Sequence, residues 1–531
     1  MKLISVEKMK ELESAANADG YSYEKMMLKA GENMARVVHD RFFSREMNHA
    51  TGLVGGGNNG GDTLIALITL QTLGWNCSAV MIKSEDLMQS LVDELQSRGG
   101  KILSIEKLAE ELHESHLILD GLSGTGFRGP MRPPYSDVLR KVAEEADDRI
   151  IVAVDCPSGV DCTTGDVCPE TLEADLTVCM EAVKEGMMKF PAYPFCGELI
   201  TVDLGIPKKI LKEYESGDSI IDRVFVAANL IQRGAESHKG TFGHLIVCGG
   251  CVNYAGAPSL SARAAYRVGT GLVECAIPER IYEAVAVNNL ESIFTLLDDE
   301  DGVIAEQAAP TLAMKLEAAS CLLLGPGIGR EETTLRFLQR LLFETGGKKT
   351  AAGAGFVPGS TKTTFRRAEK FPPLVIDADA LRLLSKTKEW WCQLPARAVL
   401  TPHPGEMSAL TGLPIDEIQK DRFAVARRFA REWNQVIVLK GALTLVALPE
   451  GPLAVLPFAN SALAKAGTGD VLAGIIAGLI AQGMEPFAAA QVGALIHAQA
   501  AAAVVKKQGG EVSLLAGDLI EALPEVMAGL K

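Results

Sequence analysis

The stretch Ala464-Lys465-Ala466-Gly467-Thr468-Gly469-Asp470, followed by Val471-Leu472-Ala473-Gly474, decides how the larger part of the chain is read. Glycines flank a threonine, an acid comes next, and a small, apolar helical pattern then begins. Glycine reaches backbone geometry closed to other residues, so Gly467 and Gly469 can turn consecutive N–H groups toward one anion. A helix starting at Asp470 would aim its partial positive end at the same point. Asp470 then stands beside a bound phosphate, as a base or as a helix cap. A lone Gly-Thr-Gly-Asp is explained as well by an ordinary turn with an aspartate cap, so the surrounding motifs decide. Gly474 and Gly478, four apart, predict close packing of the following helix on a sheet.

Upstream of that stretch, short apolar runs end repeatedly in loops of glycine, proline and acids. A strand at 244–248 leads to Gly249-Gly250, then to Tyr254-Ala255-Gly256-Ala257-Pro258 and an alanine-rich helix over 259–268. A strand at 322–324 stops at Gly325-Pro326-Gly327-Ile328-Gly329, and 374–376 stops at Asp377-Ala378-Asp379. The strand at 398–400 ends in Thr401-Pro402-His403-Pro404-Gly405-Glu406. Two prolines stiffen the chain around His403, which favours a ligand contact over a core histidine. Glu406 is a candidate metal-water ligand or a cap for a helix beginning there. The strand at 436–439 runs into Lys440-Gly441-Ala442-Leu443-Thr444, where a lysine could meet phosphate. Residues 346–370 read as a surface insertion.

The first part of the chain repeats the layout. Residues 3–47 carry helical periodicity, with Leu28, Met34, Val37 and Val38 among the apolar positions, and predict two helices. A strand at 50–54 runs into Gly55-Gly56-Gly57-Asn58-Asn59-Gly60-Gly61-Asp62-Thr63, and a helical pattern opens at Leu64. Strand, glycine loop, helix is the arrangement of a phosphate site at the carboxyl end of a parallel strand. The spacing matches neither the usual dinucleotide fingerprint nor a P-loop. Strands at 77–82, 116–120 and 150–154 follow, with helices over 87–98 and 135–146. The third strand ends in Asp120 before a second glycine loop, and the fourth is followed by Asp155-Cys156-Pro157-Ser158-Gly159. Further strands are predicted at 174–180 and 199–204. Repeated strand–helix units imply a parallel sheet whose strand ends share one face. Asn59, Asp120 and Ser158 could then converge on one hard cation through oxygen.

The 531 residues exceed a single core and predict two α/β domains, divided near residue 215 as 1–215 and 222–531. Hydrophobic residues at 47% and charged residues at 22% fit a globular chain. A net charge of −15 disfavours general binding to nucleic acid or acidic membranes. The N-terminus turns polar at once, which predicts no secretory signal, and the apolar run at 471–481 is too short to span a bilayer. Eleven scattered cysteines without a Cys-x-x-Cys pair predict reduced thiols in a cytoplasmic protein.

Taken together, Gly-Asn-Asn-Gly-Gly-Asp, Asp-x-x-x-Gly-Thr-Gly and Asp-x-Pro-Ser-Gly-x-Asp-x-x-x-Gly resemble the YjeF N-terminal family of NAD(P)HX epimerases over about 1–210. The resemblance implies a Rossmann-like parallel-sheet domain that interconverts the R and S forms of hydrated NADH or NADPH. It implies potassium held by Asn59, Asp120 and Ser158. It implies substrate contacts from Asn58, Asn59, Gly60, Gly61, Asp62, Gly124, Thr125, Gly126, Phe127, Arg128, Gly129, Pro130 and Asp155. Asp155 is the expected acid–base residue, and the fork of donors on Arg128 suits a phosphate. The family usually has glycine where this chain has Thr63.

Gly-Pro-Gly, Asp-Ala-Asp, His-Pro-Gly-Glu, Lys-Gly-x-x-Thr and Ala-Gly-Thr-Gly-Asp resemble the YjeF C-terminal family over about 222–528. That family comprises ADP-dependent NAD(P)HX dehydratases on a ribokinase-like α/β fold. The resemblance implies Ala257, Gly327, His403 and Asp470 on the hydrated substrate, and Lys440, Gly441, Ala442, Leu443, Thr444 and Gly469 on ADP. Asp470 would deprotonate the substrate hydroxyl as it attacks the terminal phosphorus, and Mg2+ would bridge the nucleotide phosphates. The expected partners are NADHX or NADPHX and ADP, with no nucleic acid and no membrane, in a homo-oligomer. A ribokinase-type kinase of a small molecule and a non-catalytic nucleotide sensor are the rival readings. The His403-Pro404-Gly405-Glu406 loop and the whole first domain argue against the kinase, and intact acids at Asp155 and Asp470 against the sensor.

Overall fold

The structure, a computed structural model, describes residues 1–82, 88–145, 148–214, 216–343, 371–395 and 397–530. It divides into two compact units, Met1–Ile220 and Ile221–Lys531. The expected boundary residue 215, the expected insertion at 346–370, and the helix limits expected at 87 and 146 lie outside the described residues.

The first unit opens with α1 (Val6–Ala18) and α2 (Tyr23–Phe42). The Ser5 and Ser22 hydroxyls cap them by accepting the N–H of Lys8 and of Lys25. Met26, Ala30, Met34 and Val38 recur every four residues along α2 and are buried. Leu28 is half exposed, against its place in the apolar pattern, because it lies two residues and some 200° round the helix from Met26.

The sheet of this unit contains β1 (His49–Val54), β2 (Asn76–Met81), β3 (Lys101–Leu103), β4 (Leu117–Gly121), β5 (Ile150–Val154), β6 (Leu176–Met180) and β7 (Glu198–Val202). They lie in the order β3-β2-β1-β4-β5-β6-β7, all parallel. The register pairs Val54 with Gly121 and Asp120 with Ala153, so β1, β4 and β5 end side by side.

The helix after β1 corrects the sequence reading. α3 spans Asn58–Thr72, beginning six residues before Leu64, so the supposed loop is mostly its first turn. Low helix propensity is overridden by packing: a Cβ on Gly61 would stand 2.5 Å from the Met27 sulfur, and one on Gly60 2.0 Å from the Gly55 carbonyl oxygen. Thr63 is a buried helical residue whose Oγ1 donates to the Asn59 carbonyl at 2.6 Å, so its replacement of glycine leaves the turn intact.

The main sheet of the second unit contains β8 (His244–Cys248), β9 (Leu272–Pro278), β10 (Ile293–Leu297), β11 (Cys321–Leu324), β12 (Leu374–Ile376), β13 (Ala398–Leu400), β14 (Val436–Leu439), β15 (Leu445–Ala447) and β16 (Leu453–Val455). Their order is β16-β15-β14-β13-β12-β11-β8-β9-β10. The run from β14 to β10 is parallel, and β14, β15 and β16 are antiparallel neighbours. The helices that matter to the site are α4 (Gly256–Arg267), α5 (Pro404–Thr411), α6 (Thr468–Ala481), α7 (Pro486–Gln508) and α8 (Ala516–Gly529).

One further expectation changes here. The two glycines of α6 meet helix α4 and the turn after it, not a sheet: a Cβ on Gly474 would lie 2.3 Å from the Ser261 carbonyl oxygen, and one on Gly478 2.7 Å from the Thr270 hydroxyl. The apolar run at 471–481 lies in α6 and is, as expected, too short to cross a membrane; the longest apolar helix is α7. Among the described residues it alone is long and apolar enough to cross a membrane, yet 72% of its most apolar window is buried in the protein, where it packs on α6 and α8.

Candidate active sites

In the first unit the ends of β1, β4 and β5 bring Asn59, Asp120 and Ser158 into one hydrogen-bonded group. Asp120 accepts the Ser158 N–H at 2.8 Å. The Ser158 hydroxyl accepts the Ser123 N–H at 2.9 Å. The Asn59 amide donates to the carbonyls of Val154 (2.6 Å) and Ser123 (3.3 Å). Gly124 is tight against it, since a Cβ there would come within 2.3 Å of the Asn59 side-chain oxygen. Burial raises the Asp120 carboxyl above the ordinary range, against the hydrogen bonds from Ser158. Every atom gathered here except the Asn59 amide nitrogen is an oxygen or backbone N–H, and the oxygens suit a hard monovalent cation.

Asp155 follows β5 with φ at 65°, a conformation non-glycine residues rarely adopt. That turn aims its carboxylate inward. It accepts the Met180 N–H at 2.8 Å and is ion-paired with Lys184, whose side chain is entirely buried. Burial opposes the charge on Lys184, but Asp155 outweighs it and raises the ammonium above the usual lysine value. Sequence reasoning missed Lys184. The signal was a lysine directly after the apolar pair Ala182-Val183, read past because the strand was ended at Met180.

Asp62, on the first turn of α3, is pushed well above the carboxylate range, first by burial and then by the charges of Asp155 and Glu13. The unit thus holds one buried carboxyl paired to a cation and a second, nearby, driven toward its neutral form. Asn58 is exposed at the helix start, and Gly60 and Gly61 are packed within the same turn. The loop Gly124, Thr125, Gly126, Phe127, Arg128, Gly129 and Pro130 lies partly open to solvent. Arg128 is engaged by that loop and its neighbour: it donates to the carbonyl of Thr125, bonds the Thr163 hydroxyl at 2.7 Å and stands 3.3 Å from Asp161. A phosphate would have to compete for it.

In the second unit α6 begins at Thr468, two residues before the expected start, with Gly467 at φ 88° supplying the turn. Asp470 is therefore the third helical residue, and its backbone carbonyl accepts the Ser261 hydroxyl at 2.9 Å. Burial, and then the neighbouring Asp377, push its carboxyl up to about 7, with Lys440 pulling the other way. Lys440 donates to Asp377 at 2.7 Å and lies 3.7 Å from Glu406. Burial opposes its charge, and Asp377 and Glu406 outweigh that and raise it. The expected phosphate lysine thus already has a carboxylate partner.

Asp377 also accepts the Thr401 hydroxyl at 2.6 Å, and Asp379 is paired with Arg330. Between these acids Ala378 sits at φ 54°. Asp377, Asp379 and Arg330 were missed as site residues, although the Asp-Ala-Asp strand end was visible in the sequence. His403 caps α5: its Nδ1 accepts the Gly405 N–H at 3.0 Å, while Glu406 accepts the His403 N–H at 2.9 Å. Glu406 is thus a cap and a partner of Lys440. Burial raises its carboxyl, but His403 and Lys440 more than offset this and hold it below the usual range. His403 keeps nearly half its side chain exposed. Gly327, at φ 62°, lies against Ala257, whose Cβ a substituent there would meet at 2.9 Å.

A cavity of about 540 Å³ opens beside these groups. Lys440, Gly441, Ala442, Thr444 and Gly469 line it, with Leu456, Phe458 and Leu472 as its apolar walls. Leu443 does not: at φ 55° it turns into the protein, and its N–H bonds the Phe458 carbonyl at 3.0 Å. His497 and Glu511 line the cavity and were not anticipated. Among the described residues no cluster of three or more His, Cys, Asp or Glu side chains forms a metal cage.

The sequence profile of the YjeF-related protein N-terminus matches residues 23–186, and that of NAD(P)H-hydrate dehydratase matches 245–525. The bifunctional NAD(P)H-hydrate repair enzyme Nnr of Moorella thermoacetica is 31% identical, over 100% of this chain and 97% of its own length. Its counterpart in Escherichia coli is 30% identical over 97% and 91%. Among solved structures, the ADP/ATP-dependent NAD(P)H-hydrate dehydratase of Bacillus subtilis, co-crystallised with ATP/Mg2+, is 28% identical. It covers 59% of this chain and 99% of its own, with a TM-score of 0.48.

Proposed function

The chain belongs to the family of bifunctional NAD(P)H-hydrate repair enzymes, and from that premise we propose how its two units divide the work. The protein epimerises R- and S-NAD(P)HX and dehydrates the S form with ADP to give NAD(P)H, AMP and phosphate. The first unit carries the epimerisation and the second the dehydration.

Hydroxide leaves poorly, so the ring hydroxyl must first become an ester. Asp470 takes the hydroxyl proton as that oxygen attacks the terminal phosphorus of ADP, and AMP departs. A base near 7 is matched to that task. The Gly467–Gly469 backbone and the start of α6 face the charge that develops on the transferring group. Phosphate then leaves the ring carbon, a ring proton is lost, and the dihydronicotinamide is restored. The observation that carries this reading is Asp470 standing at a helix start, among Lys440, Asp377 and Glu406, next to Gly469 on the cavity wall. Ala257, Gly327 and His403 would face the hydrated substrate, and Lys440, Gly441, Ala442, Thr444 and Gly469 the nucleotide. Leu443 supports that loop from behind.

In the first unit Asp155 is the base, held by Lys184, and Asp62 is the acid that keeps its proton. The substrate lies on Asn58, Asn59, Gly60, Gly61 and the Gly124–Pro130 loop. The oxygens of Asn59, Asp120 and Ser158, with the Val154 and Ser123 carbonyls, fit K+, which would supply positive charge beside the substrate phosphates. Mg2+ is a different case. With Glu406 spent on a cap and on Lys440, and no carboxylate cage among the described residues, magnesium would arrive on the nucleotide phosphates. Eleven free cysteines, ten of them buried, support a reducing compartment such as the cytoplasm. A homo-oligomer remains the expected assembly.

Purified protein given mixed-epimer NADHX and ADP should regenerate NADH completely, read as absorbance. Asp470→Asn should abolish it. Unaltered turnover in that variant would remove Asp470 as the base.

A further inference from the structure

We propose that Arg422 supplies positive charge that holds the nucleotide's diphosphate in the second-unit cavity, acting across the Lys440-Gly441 turn. The inference rests on the reading of that cavity as the adenine-nucleotide site. Arg422 is the first residue of the helix Arg422–Trp433. One of its terminal nitrogens donates to the carbonyl of Leu439 at 2.9 Å and to that of Lys440 at 3.4 Å, and the other donates to the Gln419 side chain at 3.4 Å. Gly441 lines the cavity and, having no side chain, admits the guanidinium: a Cβ there would stand 2.5 Å from it. Gly441 thus touches both the cavity and the cation.

The hydrogen-bond partners of Arg422 are all neutral, and among the described residues it makes no ion pair. The neighbouring acid, Asp421, is turned to cap the helix and accepts the Ala424 N–H at 3.0 Å. The Arg422 Nε is buried without a partner. Burial pushes the guanidinium down to about 10, so it keeps its charge at neutral pH. A charge drawn out of water costs free energy unless an opposite charge completes it. The surroundings of the other cation show which anion is missing. Lys440 donates to Asp377 at 2.7 Å and lies 3.7 Å from Glu406. A Cβ on Gly469, next to Asp470, would lie 3.5 Å from its ammonium. The corner that would receive the terminal phosphate therefore gathers Asp377, Glu406 and Asp470 around one lysine. A diphosphate arriving there meets more carboxyls than cations, and Arg422 redresses that balance at a range where charge acts without contact.

The test uses the full chain and measures binding of ADP, AMP and adenosine by calorimetry in metal-free buffer. In Arg422→Gln, ADP should bind about tenfold more weakly than in the wild type, AMP should lose less, and adenosine should bind nearly as before, because the loss follows the charge of the ligand. Arg422→Lys keeps the charge but not the fork on the two carbonyls, so it should keep the preference for ADP over adenosine. It also carries the test on its own in the case where the glutamine variant does not fold. An arginine that only shapes the turn would weaken all three ligands equally in Arg422→Gln, which overturns the proposal. Unchanged ADP binding in that variant overturns it too, as does a folded Arg422→Lys that has lost the preference for ADP. Wild-type protein that binds no adenine nucleotide would instead overturn the reading of the cavity itself.

Discussion

At the scale of single residues, the second unit depends on one carboxyl held away from its ordinary value. Asp470 reaches about 7 because burial and Asp377 disfavour its charge. As the proposed base it must be ionised, so the dehydration rate should rise with pH through about 7 and level off above it. Stability should move the other way. The folded carboxyl binds its proton more tightly than the unfolded one, near 3.9, so the unfolded state binds fewer protons between those values. Stability therefore falls as pH rises from about 4 to about 7. Asp470→Asn removes that penalty and should gain on the order of 2–4 kcal/mol at pH 8, shrinking toward nothing at pH 4, in denaturant titrations. A gain that is equal at both pH values would mean that the carboxyl is not strained in the folded protein. Activity and stability are opposed at this atom, as expected where a site is shaped for chemistry rather than for rest.

At the scale of elements, α6 holds Asp470 in place by lying close to α4, and two glycines make that approach possible. Gly474→Ala adds helix propensity worth about 1 kcal/mol, but its methyl would meet the Ser261 carbonyl oxygen at 2.3 Å. Backbone on the far side cannot swing aside, so a net loss of about 1–3 kcal/mol is expected in thermal unfolding. Gly517→Ala, in the first turn of α8 with nothing within 4 Å, should instead stabilise slightly. The same elements mark what could be read from the sequence. Strands such as Ile150–Val154, His244–Cys248 and Val436–Leu439 were legible to the residue, because short apolar runs bounded by glycine and acids admit few alternatives. The starts of α3 and α6 were not, since Asn58-Asn59-Gly60-Gly61 and Thr468-Gly469 are poor helix formers held helical by neighbours far away in sequence. The carboxylates Asp155 and Asp470 could be picked out from motifs. That Lys184 would pair with Asp155, and that Asp377 would press on Asp470, could not be read, because such meetings are decided by which strand lies next to which.

At the scale of the whole molecule, the two activities share a chain because one consumes what the other balances. Dehydration takes the S epimer, and the first unit replenishes it from the R form. The proposed catalytic acids lie in different compact units, Asp155 in Met1–Ile220 and Asp470 in Ile221–Lys531, and no bond is shared by the two steps. Each unit has its own buried core, so loss of one carboxylate should leave the other site intact. Asp155→Asn given mixed epimers and ADP should therefore stop once the S form is spent, with NADH yield stalled at that share of the mixture. Asp470→Asn should yield no NADH, yet should still bring an enriched R preparation to its epimer balance, read by chromatography. The substrate is a small molecule free to diffuse, so mixing the two variants should restore complete conversion. Mixing would fail to restore it if the S epimer had to pass directly from one site to the other within a single chain.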